Sequence, residues 1–186
     1  MNKLQKYKIS VIISGGQTGA DRGGLDFAIK NKIPHGGWCP LGRKAEDGKI
    51  PSIYSLIETT TPLYPARTRM NIRDSDATII FSSDINSKGS TLTIKFCIEL
   101  KKPYFIVILE RKKIKDVTVP DITFKNLLKW LNKNKPEILN IAGTRESHFL
   151  GIQKIVKNIL EKVIEKSAKE KEWPPKRPAT PNLIFD

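Results

Sequence analysis

Cysteine and histidine are rare in this chain of 186 residues, which contains two of each. The two cysteines, Cys39 and Cys97, exclude a disulfide scaffold and a four-thiolate metal site. Because no group of His, Cys and Asp residues has the spacing of metal ligands, we expect no metal held by protein side chains. No apolar run approaches the roughly 20 residues that cross a bilayer, and Ile9–Ile13 is too short for a signal peptide.

Acidic residues are also scarce relative to basic ones, 19 against 33, and the formal net charge is +14. A content of 39% hydrophobic and 28% charged residues supports a folded core and excludes wholesale disorder. The length fits one domain and not two complete cores. We therefore expect a basic, cytoplasmic single domain with no membrane partner. Its charge would suit nucleic acid, an anionic lipid surface or a small phosphorylated ligand.

The positive charge by itself does not indicate a nucleic-acid surface. Lys125, Lys129 and Lys133 recur at i,i+4 spacing and line one face of a predicted helix. Aromatic residues do not alternate with these lysines as in a stacking platform, and no helix-turn-helix, zinc-finger or RNP-type motif is present. We interpret most of the charge as solvated surface, and nucleic acid is not expected as a partner.

Short β-branched runs alternate with amphipathic segments along the chain. Strands are predicted at Lys8–Ser14, Ala77–Ser82, Tyr104–Leu109 and Ile138–Ala142, and helices at Ala20–Asn31, Pro65–Asp74, Thr91–Lys101, Asp121–Asn134 and Ile152–Ile164. Residues 33–63 form a Gly- and Pro-rich excursion with short strands near Ile33–Trp38 and Ser55–Thr59. The alternation predicts one α/β domain with a mostly parallel sheet covered on both faces. This domain spans residues 9–166, between a basic lead at 1–8 and a Pro-rich tail at 167–186.

A glycine-rich turn, the first loop (residues 15–19), joins the first strand to the first helix within ISGGQTGADRGGLDFA. Gly15, Gly16 and Gly19 lack Cβ atoms, so backbone N–H groups at the helix start can approach an anion, which the helix dipole favours. Thr18 can cap the helix and donate to the same anion. The turn is neither a Walker A motif nor a GxGxxG fingerprint. Close packing alone would also explain the glycines, but the strand–turn–helix context favours anion binding.

Two further loops lie at equivalent places, each after a predicted strand. The second loop is Ser83–Thr91, with Lys88-Gly89-Ser90-Thr91, and the third loop is Asn140–Glu146, which adds Arg145. We predict that the first and second loops follow neighbouring parallel strands and flank one crevice at the carboxyl edge of the sheet.

Basic side chains near these loops are candidates for contact with a phosphate. The arginine cluster at Arg67–Arg73 is explained equally well by phosphate contacts and by surface ion pairs. Arg22, Arg43, Arg69 and Lys88 fall in or beside the glycine loops, and this part of the charge indicates a small phosphorylated ligand.

Other candidate groups carry less specific signals. His35 and Cys39 lie close in sequence, but a His35 that fixes the loop by hydrogen bonds is favoured over a Cys–His nucleophile pair. Cys97 lies among apolar residues and is expected in the core. Asp21 and Asp26 lie early in the first helix, where they either complement the helix dipole or orient a ligand hydroxyl.

Several of these segments together resemble one protein family. They are SGGQTGADRGGLDFAI, IPHGGWCPLGRKAEDG, RTRMNIRDSDATIIF, GSTLT and LNIAGTRES, and the similarity extends from about Ile9 to Val163. The chain resembles the molybdenum cofactor carrier family of the SLOG superfamily, which also includes the DprA and LOG proteins. The resemblance implies a Rossmann-like three-layer α/β/α domain, assembled as a homo-oligomer (dimer or tetramer). It also implies non-covalent binding of the phosphorylated pterin of the molybdenum cofactor (molybdopterin), or of a nucleotide-like ligand, for transfer to a molybdoenzyme acceptor.

The motifs of the resemblance also imply which residues bind the ligand. The first loop would comprise Gly15, Gly16, Gln17, Thr18 and Gly19, with Asp21 and Arg22 behind it. The adjoining wall would be formed by Trp38, Pro40, Gly42 and Arg43. Asn71, Asp74 and Ser75 would lie across the crevice, and Gly89, Ser90 and Thr91 would belong to the second loop. Two positions depart from the family pattern: Lys88 changes the charge of the second loop, and Thr144 stands where relatives commonly have proline.

The reaction of the LOG enzymes does not transfer to this chain. Those enzymes place an acidic residue after their second loop, whereas GSTLTIKF contains none, so their phosphoribohydrolase activity is not expected and no catalytic residue is assigned. A different nucleotide-processing enzyme, and a nucleotide-sensing or nucleic-acid-binding SLOG protein, stay open as alternatives to the carrier.

Overall fold

A five-stranded parallel sheet forms the centre of the computed structural model, which describes residues 9–110 and 121–169, with side chains as far as Glu165. The strands are β1 (Val11–Ile13), β2 (His35–Gly36), β3 (Trp38–Cys39), β4 (Lys44–Ala45), β5 (Gly48–Lys49), β6 (Ile57–Glu58), β7 (Ala77–Ser82), β8 (Tyr104–Ile108) and β9 (Ile138–Gly143). The central sheet has the order β2-β1-β9-β7-β8, and every adjoining pair is parallel.

Burial on both faces explains why the inner strands are continuous apolar runs. All six residues of β7 are buried, as are the four inner residues of β9. Parallel strands that are covered on both faces carry Val, Ile and Leu without alternation. The predicted bounds of β7 are confirmed, and those of β8 and β9 are correct to within one residue.

The helices of the described residues are α1 (Ala20–Lys30), α2 (Tyr64–Arg73), α3 (Lys88–Glu99), α4 (Asp121–Asn134) and α5 (Ile152–Lys169). The main core joins α1, α4 and α5 to one face of the sheet, while α2 packs against α3. Right-handed crossovers place α3 opposite α4, because β7 to β8 and β8 to β9 run in opposite directions across the sheet. The predicted three-layer α/β/α architecture is therefore confirmed.

Helix α5 extends beyond the predicted end of the domain. α5 continues to Lys169, so residues 167–169 of the predicted tail are helical. The basic lead at 1–8 and the tail from residue 170 lie outside the described residues.

The strand order is circularly shifted relative to the doubly wound α/β sheet. β9 comes last in the chain but lies in the middle of the sheet, between β1 and β7. Counting the strands from β9 instead of β1 gives the order 3-2-1-4-5. Ligands of such sheets bind beyond the carboxyl ends of the strands where the order reverses, which here is the junction of β9 with β7.

The excursion between β2 and α2 forms a small second layer with its own core. β3 pairs with β6 in parallel and β4 with β5 antiparallel. The buried residues of this core are Leu25, Cys39, Ala45, Ile50 and Tyr54.

The single strand predicted at Ile33–Trp38 is wrong, because it divides at Gly37. Gly37 has a φ of +121°, and a Cβ there would lie 2.3 Å from the Ser14 carbonyl oxygen. The chain therefore leaves the central sheet after β2, and β3 pairs with β6 of the excursion instead.

Candidate functional site

The three loops meet at the carboxyl edge of the sheet, with the third loop between the other two. β9 separates β1 from β7, so the prediction that the first and second loops follow neighbouring strands is wrong. Thr144 joins all three loops. Its carbonyl oxygen accepts the Ala20 N–H at 3.0 Å, and its hydroxyl accepts the Ser83 N–H at 3.1 Å. Thr144 thus links the start of α1, directly after the first loop, to the second loop.

The first loop is buried along its whole length. A Cβ on Gly19 would lie 2.5 Å from the Thr144 carbonyl oxygen, and one on Gly16 would lie 2.5 Å from a leucine methyl group of the excursion. A Cβ on Gly15 would lie 1.9 Å from a guanidinium nitrogen of Arg67. Packing therefore accounts for Gly16 and Gly19, whereas Gly15 is covered by the end of a long charged side chain.

Arg67 is a positively charged group that rests on the first loop. It extends from α2, and its Nη1 lies 3.0 Å from Oδ2 of Asp21, in an ion pair whose side chains are 12% and 3% exposed. The same carboxylate oxygen accepts the Gln17 backbone N–H at 3.3 Å. Burial raises the pKa of Asp21 above its usual value, and the Arg67 charge opposes that shift.

Two buried N–H groups have no hydrogen-bond partner among the described residues: Nε of Arg67 and Nε2 of Gln17 in the first loop. The other end of the Gln17 amide is occupied, because its Oε1 accepts the backbone N–H groups of Thr18 and Glu46 at 3.0 and 2.9 Å. An unpaired buried donor costs about 1–3 kcal/mol, and native structures keep few of them. Since both groups can only donate, the partner that they lack is an acceptor such as an anion.

Glu46 connects the excursion to the first loop and to the start of the β9–α5 connection. Its carboxylate accepts hydrogen bonds from the Thr18 hydroxyl and from the Ser147 hydroxyl and backbone N–H. Partial burial would raise the pKa of Glu46, but the hydrogen bonds from Ser147 and Thr18 and the charge of Arg145 together lower it. Glu46 therefore stays ionised and holds the loops together.

Arg145 adds a second positive charge to the site from the third loop. Its guanidinium carbon lies 4.9 Å from the centre of the Tyr64 ring. Its charge opposes the effect of burial on the pKa values of both Asp21 and Glu46. Within the described residues, no carboxylate forms a direct ion pair with Arg145.

Arg22, which was expected behind the first loop, has its donors occupied by protein groups. Its Nε donates to the Gly16 carbonyl oxygen at 3.1 Å, and its two terminal nitrogens hold Asp47 at 2.6 and 2.7 Å. These hydrogen bonds lower the pKa of Asp47. Arg22 thus positions the first loop against the excursion.

Arg43 has a similar supporting position. Its guanidinium donates to four backbone carbonyl oxygens, those of Ile50, Pro51, Tyr54 and Leu56. These contacts hold residues 50–56 of the excursion in place, and this segment covers Gly16. The structure does not bring the Arg43 guanidinium to the three loops.

Arg43→Ala is expected to lower the free energy of unfolding by about 2 kcal/mol, because hydrogen bonds to a charged donor are worth about 1.5–3 kcal/mol and this side chain is partly exposed. Urea unfolding followed by circular dichroism measures the change, and limited proteolysis should cleave first between residues 50 and 56. Lys44→Ala, at the exposed next position, is the control and should change stability by less than about 0.5 kcal/mol. Equal effects of the two substitutions would contradict the supporting role of Arg43.

Trp38 fastens the excursion to α2. Its backbone N–H donates to Asn71 Oδ1 at 2.7 Å and its indole N–H to Asp74 Oδ2 at 2.6 Å, while the Asn71 amide donates back to the Trp38 carbonyl oxygen at 2.9 Å. Ser75 closes the end of α2 by a hydroxyl bond to a carbonyl oxygen of the last turn. These residues position α2, and with it Arg67, over the first loop.

Pro40, Gly42 and Arg69 lie outside this arrangement. Pro40 is buried at the start of a short 3-10 turn at Leu41–Arg43, and a Cβ on Gly42 would meet nothing within 4 Å. Arg69 pairs with Glu99 at 3.0 Å, and its side chain is 50% exposed. Of the arginine cluster that the sequence offers, Arg67 contacts the first loop, whereas Arg69 pairs with α3.

The second loop ends in the exposed start of α3. Ser87 caps the helix by accepting the Ser90 N–H at 3.3 Å, and the Ser90 hydroxyl lies 2.8 Å from that of the last serine of β7. The Thr91 hydroxyl donates to the Ser87 carbonyl oxygen. Lys88 and Gly89 are exposed, and a Cβ on Gly89 would meet nothing within 4 Å. The hydroxyl groups are thus used within the loop, while the lysine and the glycine face solvent.

The remaining candidates, His35, Cys39 and Asp26, make contacts that support the fold. His35 Nε2 accepts the Ser55 backbone N–H at 3.3 Å. Cys39 is fully buried, and burial raises the pKa of its thiol. Asp26 accepts hydrogen bonds from the Tyr54 hydroxyl and the Gln153 amide, both at 2.7 Å. His35 therefore fixes the excursion, and Asp26 joins the excursion to α5.

An open cleft of about 630 Å³ borders the third loop on the side of β7 and β8. Its lining residues are Ser83, Leu109, Glu110, Ser147, His148, Phe149 and Leu150. Ser83, the first residue of the second loop, is in this lining, but among the described residues none of those expected to contact the ligand is. Ser147 connects the cleft to the first loop, because its hydroxyl donates to Glu46 at 2.6 Å.

Residues 9–110 and 121–169 contain neither a metal-ligand group nor a membrane-spanning helix. In these ranges no three His, Cys, Asp or Glu side chains are grouped so that they could hold a metal ion. None of the helices there combines the length and the apolar character that crossing a membrane requires.

Together the shifted strand order and the three loops at the reversal point define a Rossmann-like α/β protein whose loops meet at the carboxyl edge of the sheet. A more specific assignment comes from comparison with known families. The chain belongs to the "Circularly permutated YpsA SLOG family", which it matches over residues 12–164. The resemblance to the SLOG superfamily is thereby confirmed, and the shifted order of the central sheet agrees with the permutation.

A solved structure is similar over nearly the same range. It is the crystal structure, at 1.45 Å resolution, of a "Putative molybdenum carrier protein" from Syntrophus aciditrophicus SB. The two chains are 43% identical with a TM-score of 0.76, and the match covers 84% of this chain and 96% of the other. No match was found among the curated proteins.

Proposed function

We propose that this protein is a carrier that binds the phosphate-bearing pterin of the molybdenum cofactor, without covalent attachment, at the crevice of the three loops. The observation that carries the proposal is the pair of buried, unpartnered N–H donors on Arg67 and Gln17. The similarity to the molybdenum carrier protein of S. aciditrophicus supports the choice of cargo.

The groups around the crevice suit a phosphate better than a neutral ligand. Arg67 rests on the first loop and Arg145 adds positive charge from the third loop, and a guanidinium binds phosphate oxygens in a bidentate fashion. Lys88 at the exposed start of α3 adds a flexible point charge. Gly15–Gly19 and Gly89–Thr91 stay as the proposed binding loops, with Arg67 and Arg145 added.

The acidic groups near the first loop already have protein partners, and this fits a protein that binds its ligand without catalysis. Asp21 is paired with Arg67, Asp26 is held by Tyr54 and Gln153, and Glu46 is held by hydroxyl groups. Since each carboxylate already serves the fold, we assign no general acid or base. The proposal includes a cytoplasmic homo-oligomer that passes the cofactor to a molybdoenzyme.

Isothermal titration calorimetry with the purified chain tests the proposed cargo. We expect saturable binding of the molybdenum cofactor, its tungsten form and metal-free molybdopterin, because the pterin phosphate is common to all three. Nucleoside 5′-monophosphates and a short oligonucleotide serve as competing ligands in the same assay. Absence of saturable binding by all three pterin forms overturns the carrier, and release of free base from a nucleoside monophosphate would identify an enzyme instead.

A further inference from the structure

The contact between Arg67 and Asp21 occupies the place where a ligand anion would meet the first loop. A guanidinium nitrogen of Arg67 lies 1.9 Å from the position of a Cβ on Gly15, so the side chain rests on the loop backbone. An anion that approaches this backbone must displace the guanidinium or bind its outer side. Where the anion displaces the guanidinium, it competes with the Asp21 carboxylate for Arg67; where it binds only the free Nε, the ion pair with Asp21 persists.

Asp21 has few other groups that could balance a second negative charge nearby. The groups that face it from other segments are Arg67 on α2, Arg145 in the third loop and the Gln17 backbone N–H in the first loop. Arg145 is shared with Glu46, which it also stabilises in the ionised form. Because Asp21 is 3% exposed, water cannot replace a partner that the carboxylate loses.

Two neighbouring negative groups in a buried site do not both stay ionised. One of them takes up a proton when the like charge arrives, as in carboxylate pairs that share one site. Sulfate is a weaker base than a carboxylate, and a phosphate monoester keeps at least one negative charge near neutral pH, because only its second pKa, about 6, falls near that range. Asp21 is therefore the group that becomes neutral, and burial already raises its pKa in the direction that protonation requires.

We propose that the anionic group of the ligand takes Arg67 from Asp21, and that Asp21 takes up one proton from solvent in the same step. The Arg67–Asp21 ion pair breaks, an ion pair between Arg67 and the anion forms, and the carboxylate becomes a carboxylic acid. This inference rests on the proposed function, because it assigns a proton to the anion-binding step of that site. The cofactor is then held more tightly at low pH and released as the pH rises.

The sign of the pH effect follows from linkage. Proton uptake on binding means that the pKa of Asp21 is higher in the complex than in the free protein. Between these two pKa values the affinity falls up to tenfold per unit of pH, and it is constant outside that window. If the anion displaces Arg67 without proton uptake, the affinity does not depend on the protonation of Asp21.

Inorganic sulfate is a suitable probe because it stays a dianion throughout the pH range and cannot supply the proton. We would titrate wild-type protein and Asp21→Asn with sulfate between pH 5.5 and 9, and compare their affinities at each pH. The ratio cancels the pH dependence that comes from groups common to both proteins. We expect the asparagine variant to bind more tightly at high pH, by a ratio that grows up to tenfold per pH unit.

A second measurement needs no variant, in case Asp21→Asn does not fold. Calorimetry of the wild-type protein in buffers of different ionisation enthalpy should show uptake of about one proton per sulfate bound. Sulfate binding without proton uptake, or with uptake that persists in Asp21→Asn, overturns the inference and leaves the carrier function standing. Binding of the cofactor without any binding of sulfate also overturns it. If neither the pterin forms nor sulfate bind, the proposed function fails as well.

Discussion

Gly19→Ala is expected to lower the free energy of unfolding by about 2–5 kcal/mol. Gly19 has a φ of +80°, a conformation that costs other residues about 1–2 kcal/mol. The added Cβ would also lie 2.5 Å from the Thr144 carbonyl oxygen and 2.6 Å from the Glu146 backbone nitrogen. Because both atoms belong to backbone, the first and third loops must separate, and overpacking of this kind costs about 1–3 kcal/mol more.

Urea unfolding monitored by circular dichroism measures this loss of stability. The control is Gly89→Ala, a glycine-to-alanine change in a second binding loop at a helical position with nothing within 4 Å of the new Cβ. Alanine has the higher helix propensity, so this variant should gain up to about 0.5–1 kcal/mol. Similar destabilisation by the two substitutions would mean that the first loop does not pack against the third loop as described.

Arg67→Ala is expected to have two large effects with different origins. Loss of the guanidinium removes charge-assisted hydrogen bonds to the ligand, at about 1.5–3 kcal/mol each, so affinity for the phosphate-bearing ligand should fall about tenfold to hundredfold. The same change leaves Asp21 buried without its cation, and breaking a buried pair costs about 3–5 kcal/mol while the carboxylate stays ionised. Calorimetry measures the affinity, and urea unfolding measures the stability.

The stability loss of Arg67→Ala should depend on pH. Burial raises the pKa of Asp21 already in the wild-type protein, and removal of the cation raises it further. A group whose folded-state pKa lies above its unfolded value of about 3.9 favours the folded state at low pH, and this contribution is lost as the pH rises towards the folded pKa. The variant should therefore be closest to the wild type near pH 4 and furthest from it near pH 8.

Arg69→Ala is the matched control for Arg67→Ala. Arg69 lies two residues further along the same helix, where it pairs with Glu99 at a half-exposed site. Exposed ion pairs contribute about 0–1 kcal/mol, so stability should change little and ligand affinity not at all. If Arg69→Ala weakens ligand binding as much as Arg67→Ala does, the ligand lies on the other side of α2 and the proposed site is misplaced.

Local pattern was sufficient for most of the secondary structure. The bounds of β7 and α4 agree with their predictions, and α3 begins three residues earlier than predicted, at the Ser87 cap. These elements carry strong hydrophobic periodicity or a continuous apolar run, which depend on neighbours in sequence. The division between β2 and β3 was missed because it arises from contact of Gly37 with Ser14, a residue of a different segment.

The order of the strands could not be read from the same patterns. A buried parallel strand has the same apolar character in the centre of a sheet as one position away, so nothing local marked β9 as the strand between β1 and β7. The expectation that the first and second loops adjoin followed chain order, and the third loop took the central place instead.

The sequence alone was enough to locate the glycine-rich first loop, the loop after β7 and the alternation of strands and helices, because each depends on residues that are adjacent in the chain. Tertiary structure decided which positive charges reach the site. Arg22 and Arg43 are occupied by carbonyl and carboxylate groups 6–25 residues away in sequence, while Arg67 crosses to Asp21. An arginine contacts whatever acceptor the fold brings within reach, and that depends on long-range packing instead of sequence spacing.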